Sequence, residues 1–180
     1  MKDLIIHGFK VLGIKIAVCF ITVCLMIAFT WLFELPGGFR IYSVIMIILL
    51  CGWVFSTATV HGRKLYSRSR SPLCGLVCGF LAEIPTIAVI ICSYIFKSSF
   101  MYFNVAYFAL NAPYTGLIRP DAKILQMTAL SGWSIALILL VPVVYFIGYA
   151  LGQRGYEPSG MLVHKMVYKD KGGEDNGKGK

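Results

Sequence analysis

Charged residues are scarce in this sequence and are missing altogether from three long stretches. Only 14% of the 180 residues are charged, whereas an average soluble domain has about 25%. Residues 16–33, 41–60 and 129–151 carry no charge, and residues 73–96 carry only one, Glu83. A membrane-crossing helix needs about 20 apolar residues, so each stretch is a candidate span. We set aside one large soluble core, because a chain of this length lacks the polar surface to cover four such helices.

The sequence also lacks the motifs of the common catalytic sites. It has no P-loop, no H-E-x-x-H pair, no Ser–His–Asp set and no glycine-rich dinucleotide turn. All six cysteines lie within the apolar stretches, which excludes an extracellular disulfide framework. Cys74 and Cys78 share a helix face, but His7, His61 and His164 lie outside the stretches, so a metal would lack further ligands. We therefore expect a protein that is not an enzyme and holds no cofactor or metal.

Basic residues are few on one side of the predicted bundle. With four spans, the N-terminal segment, the connection 61–72 and the tail from residue 154 share a side and carry 13 of the 17 Lys and Arg residues. Cytoplasmic segments carry such an excess, so both termini are predicted to be cytoplasmic in a multi-pass protein of the plasma membrane. The net charge of +9 does not indicate a nucleic-acid partner, because the basic residues mostly flank the spans and no base-reading motif accompanies them.

Residues 100–118 are apolar enough to suggest a fifth span. A fifth span would place the basic tail outside the cell, and Asn104, Asn111 and Pro113 would interrupt a helix that faces lipid. We therefore predict an external aromatic segment that lies in the membrane interface or dips back into the bundle. Its aromatic rings are expected at the headgroup level, where they are half exposed to water. A five-span protein remains the alternative.

The predicted fold is an all-α membrane protein, a four-transmembrane-helix bundle with both ends inside. The spans are predicted at about 11–33, 41–60, 73–96 and 129–151. They form one domain over residues 1–153, and residues 154–180 form a basic cytoplasmic tail. The tail is predicted to be disordered from about residue 170, because it has almost nothing to bury there.

Glu83 is the one acidic residue inside a predicted span. Gly75, Gly79 and Glu83 follow at i, i+4 and i+8 and share a helix face, and small residues there let another helix approach closely. Glu83 is therefore predicted to face a helix contact, about 15 Å deep in the bilayer. No basic residue is expected at that depth, because Lys15 should lie at the lipid boundary and extend its ammonium outward. We expect a protonated or hydrogen-bonded carboxyl, with Tyr145 as one possible partner.

Two further groups of residues are candidates for contacts. In the fourth span, Tyr145, Gly148 and Gly152 belong to a second close-packing stripe. The connection between spans two and three is predicted to contact lipid headgroups or a soluble partner. Its basic residues are Arg63, Lys64, Arg68 and Arg70.

Two functions are compatible with these patterns. The first is a non-catalytic subunit or accessory of a larger membrane assembly, whose glycine faces dock a protein partner or a second copy of the chain. The second is a small carrier or channel for an ion or solute, in which Glu83 titrates. The accessory function predicts a dry, tightly packed carboxyl at position 83. The carrier function predicts a water-accessible cavity there.

Overall fold

The structure, a computed structural model, is all-helical over the residues that it describes. These residues are 2–31, 35, 37–66, 71–96, 100–118 and 136–155. Four helices are long and apolar enough to cross a membrane, which confirms this part of the predicted fold. They comprise Leu4–Ala28, Gly38–Lys64, Leu73–Ser93 and Ala136–Gln153.

The helices follow one another along the chain with short connections. We number them α1 (Lys2–Ala28), α2 (Gly38–Tyr66), α3 (Leu73–Ile95), α4 (Phe100–Leu110), α5 (Thr115–Ile118) and α6 (Leu140–Gln153). A 3-10 helix, Ala112–Tyr114, joins α4 to α5. The helix α1 begins well before the predicted span start at residue 11, because the polar lead-in is helical too. Residues 129–135 of the predicted fourth span and the tail from residue 156 lie outside the described residues.

The four long helices form a bundle in which each packs mainly against two others. Going round the bundle, the order is α1, α3, α6 and α2. The helices α1 and α2 are antiparallel, because the Tyr42 hydroxyl near the start of α2 donates to the Thr22 carbonyl near the end of α1. Just before α2, Gly37 has φ of +82°, a conformation that favours glycine. The core between the helices is closed by fully buried side chains such as Leu50 and Val54.

The segment 100–118 packs against the bundle with its broken middle. The Cys19 thiol of α1 donates to the Leu110 carbonyl at 3.2 Å. The Gly116 N–H donates to the Ser43 hydroxyl of α2 at 2.8 Å. Several rings that were expected to be half exposed are in fact buried, because the break turns them toward the bundle. The buried rings are Tyr107, Phe108 and Tyr114, whereas Tyr102 is 78% exposed.

Candidate functional site

A buried ion pair joins α1 to α3 near the middle of both helices. The Lys15 Nζ lies 2.5 Å from the Glu83 Oε2. The two side chains are 2% and 0% exposed. The same ammonium donates to the Thr86 hydroxyl at 2.9 Å, one turn further along α3. The expectation that no basic residue reaches Glu83 is therefore wrong.

Lys15 meets Glu83 because α1 starts earlier than the uncharged stretch suggests. The apolar part of α1 runs from Leu4 to Ala28, which puts Lys15 near its centre rather than at the lipid boundary. Glu83 is the central residue of Leu73–Ser93. With both residues at mid-helix, the ammonium reaches the carboxylate more readily than it reaches the membrane surface.

Helical periodicity could have revealed the inward direction of Lys15. Val11, Lys15, Val18 and Thr22 follow at i, i+4, i+7 and i+11, so they share one face of α1. All four are buried, whereas Lys10 lies on another face and is exposed. The charge of Lys15 therefore lies on the core face of α1.

One carboxylate oxygen of the pair remains without a hydrogen bond. Among the described residues, the buried Glu83 Oε1 has no hydrogen-bond partner. The Tyr114 hydroxyl and the Asn111 Oδ1, both in the broken middle of the segment 100–118, are also buried without one within the described part of the chain. Burial raises the pKa of the Tyr114 phenol well above its usual value of 10, and the nearby Glu83 carboxylate raises it further. Tyr114 therefore remains a neutral phenol that lies within the electric field of the carboxylate.

The space around the ion pair is almost filled by protein. A cavity of about 10 Å³ lies beside Lys15, Cys19 and Thr86. A single water needs a cavity of roughly 10–15 Å³ measured in the same way, so at most one water fits. The site is consequently dry and closely packed.

Tyr145 does not approach Glu83 as its hydrogen-bond partner but belongs to a second polar cluster. Its hydroxyl lies 2.6 Å from the His61 Nδ1, and the imidazole tautomer decides which of the two donates. The His61 ring also contacts the rings of His7 and Tyr149. Sequence reasoning placed His61 outside the second span, but α2 continues to Tyr66 and carries His61 into the bundle, where it is 4% exposed.

The four glycines that were predicted at helix contacts all lie where two helices of this chain meet. A Cβ at Gly75 would lie 2.8 Å from the Tyr149 Cβ, and one at Gly79 would lie 2.5 Å from the Pro142 Cα. These two glycines therefore contact α6, whereas Glu83, further along α3, pairs with α1. On α6, Gly148 and Gly152 approach the α2 carbonyls of Phe55 and Thr59, respectively.

The predicted basic contact residues are only partly within the described structure. Arg63 is partly buried near the end of α2, and Lys64 is exposed. Arg68 and Arg70 lie outside the described residues. Within the described ranges, no group of three or more His, Cys, Asp or Glu side chains could hold a metal ion.

The fold and the site together define the class of the protein rather than its family. The class is an all-helical chain with four helices of membrane-spanning length and an internal Lys–Glu pair. No family model, no curated protein and no solved structure matches this chain.

Proposed function

We propose that this chain is an integral membrane protein that acts as a non-catalytic subunit or accessory of a larger membrane assembly. The observation that carries this proposal is the dry packing of Glu83, which is fully buried and paired with Lys15. A carrier that used Glu83 as its titrating group would need space for water or a ligand beside the carboxylate. The adjacent cavity of about 10 Å³ is too small for any larger ligand.

A partner of this protein would contact its apolar outer surface rather than its glycine faces. The glycine faces were expected to dock a partner, but the chain's own helices occupy them. Only 28% to 39% of the residues in the four spanning windows are buried within the chain. Large apolar side chains such as Phe20, Ile27 and Ile48 remain exposed on the outside. Lipid, a second copy of the chain or another membrane protein would cover this surface.

Purification in a mild detergent tests the proposed assembly directly. We expect a tagged form of the full chain to co-purify with a defined membrane protein or with an untagged copy of itself. Identification by mass spectrometry and a reproducible stoichiometry would distinguish an assembly from chance association. Recovery of only the monomer from the native membrane, under several mild detergents, would contradict the proposal.

We further propose that both termini face the cytoplasm and that the segment 100–118 enters the bundle from outside. The excess of Lys and Arg at the two ends and in the connection 61–72 supports this orientation. Cysteines introduced at positions 37 and 155, in a background without the six native cysteines, test it. In intact cells we expect an impermeant maleimide to label position 37 and to leave position 155 unlabelled. Labelling of position 155 would overturn the orientation.

The carrier function keeps one observation in its favour, the Glu83 Oε1 without a hydrogen-bond partner among the described residues. The paired variant Lys15→Met/Glu83→Gln removes both charges and leaves neither buried alone. We expect wild-type proteoliposomes to carry no more proton, Na⁺ or K⁺ flux than empty ones, and the paired variant to keep its partner. Flux in the wild type that the paired variant abolishes would support the carrier and contradict the accessory function.

A further inference from the structure

A recess that contains two arginines lies at the C-terminal ends of α2 and α6. Its volume is about 550 Å³. Its lining comprises Arg63, Gly152, Gln153, Arg154 and Gly155. These five residues include two guanidinium groups and no carboxylate, so the recess carries net positive charge.

The close crossing of α2 and α6 fixes the positions of the two arginines. A Cβ at Gly62 would lie 2.2 Å from the Tyr149 carbonyl oxygen, and one at Gly152 would lie 2.2 Å from the Thr59 carbonyl oxygen. The two backbones therefore touch directly beside the recess. Arg63 follows Gly62 immediately, and Arg154 follows Gly152 after one residue. Both charges are thus held on a rigid crossing of two helices.

We propose that this recess binds the phosphate of an anionic phospholipid. A guanidinium presents planar pairs of N–H donors that match two phosphate oxygens, and two such groups face one space here. The recess lies at the ends of two helices of membrane-spanning length, where lipid headgroups lie if these helices cross the bilayer. This ligand goes beyond the proposed function and does not depend on which protein partner is bound.

The surface below the recess suits the acyl chains of the same lipid. Val60 precedes Arg63 by three residues on α2, and Ile147 precedes Arg154 by seven, so each shares a helix side with its arginine. Both apolar side chains are exposed. A lipid can therefore place its phosphate between the arginines and its tails along these two helices. A free anion would use only the first of these contacts.

Lipid retention by the purified full chain tests this site. The probes are phosphatidylglycerol and phosphatidylcholine with identical acyl chains, counted by native mass spectrometry in detergent. We expect the wild type to retain phosphatidylglycerol about tenfold better, as follows from two basic residues at the membrane surface. Arg63→Gln/Arg154→Gln should lose this preference. Arg154→Gln alone changes only an exposed residue beyond α6, so the fold should tolerate it, and it should reduce the preference.

Arg40→Gln is the matched control, because Arg40 is an exposed arginine at the opposite end of α2. It should keep the full preference for phosphatidylglycerol. Equal retention by the wild type and both arginine variants would overturn the proposal, and so would an equal loss in Arg40→Gln. Thermal protection by inorganic phosphate that matches protection by the lipid would assign the recess to a free anion and overturn the lipid.

Discussion

Lys15→Met is expected to lower the free energy of unfolding by about 3–5 kcal/mol, the usual cost of removing one partner of a buried ion pair. The Glu83 carboxylate would then remain at the centre of the bundle without its counter-charge, in a space that holds at most one water. The hydrogen bond to Thr86 would be lost as well. The loss can be measured by thermal or SDS-induced unfolding in detergent at neutral pH.

Lys10→Met is the matched control, because Lys10 lies on the same helix but is exposed. This substitution should change the stability by less than about 0.5 kcal/mol, as is usual for surface positions. The double variant Lys15→Met/Glu83→Met should regain most of the loss, because apolar pairs often replace buried ion pairs without cost. Lys15→Met and Lys10→Met with the same small effect would show that the ion pair does not stabilise the bundle.

Gly62→Ala is expected to destabilise the bundle by about 3 kcal/mol or more, at or beyond the upper end of ordinary overpacking. The added Cβ would lie 2.2 Å from the Tyr149 carbonyl oxygen and 3.0 Å from the Gln153 backbone nitrogen. Backbone atoms cannot rotate away as a side chain can, so α2 and α6 would have to separate. The same unfolding measurement in detergent reports this loss.

Gly52→Ala, on the same helix, provides the control for Gly62→Ala. No heavy atom lies within 4 Å of a Cβ built at Gly52. Alanine should there stabilise α2 by about 0.5–1 kcal/mol, because it loses less backbone freedom than glycine on folding. The two substitutions should therefore have opposite signs. A similar small gain for both would mean that the close crossing of α2 and α6 does not exist.

The parts of the fold that depend on local composition could be predicted from the sequence. The uncharged stretches predicted four helices of spanning length, because lipid demands about 20 apolar residues in succession. Asn111 and Pro113 predicted a break within the segment 100–118, and the structure has a 3-10 helix there. Each of these features is determined by residues that are neighbours along the chain.

The features that could not be predicted arise between helices that are distant in sequence. Lys15 and Glu83 are 68 residues apart, and their pairing depends on how α1 packs against α3. The uncharged stretch suggested a span that starts at residue 11, and this start placed Lys15 at the lipid boundary. Tyr145 likewise contacts His61 because α2 continues past its apolar stretch. In both places a polar helix extension, which hydropathy alone does not show, decides the contact.

Exchanging the two charges of the ion pair tests the central claim, that Lys15 and Glu83 hold α1 and α3 together inside the bundle. Lys15→Glu places two carboxylates side by side, and Glu83→Lys places two ammonium groups there, so each should abolish most of the folded protein in the membrane. The double variant Lys15→Glu/Glu83→Lys restores opposite charges at the same positions. We predict that it recovers more folded protein than either single variant, as measured by size-exclusion chromatography and unfolding in detergent. A double variant no better than the two single variants would contradict the account.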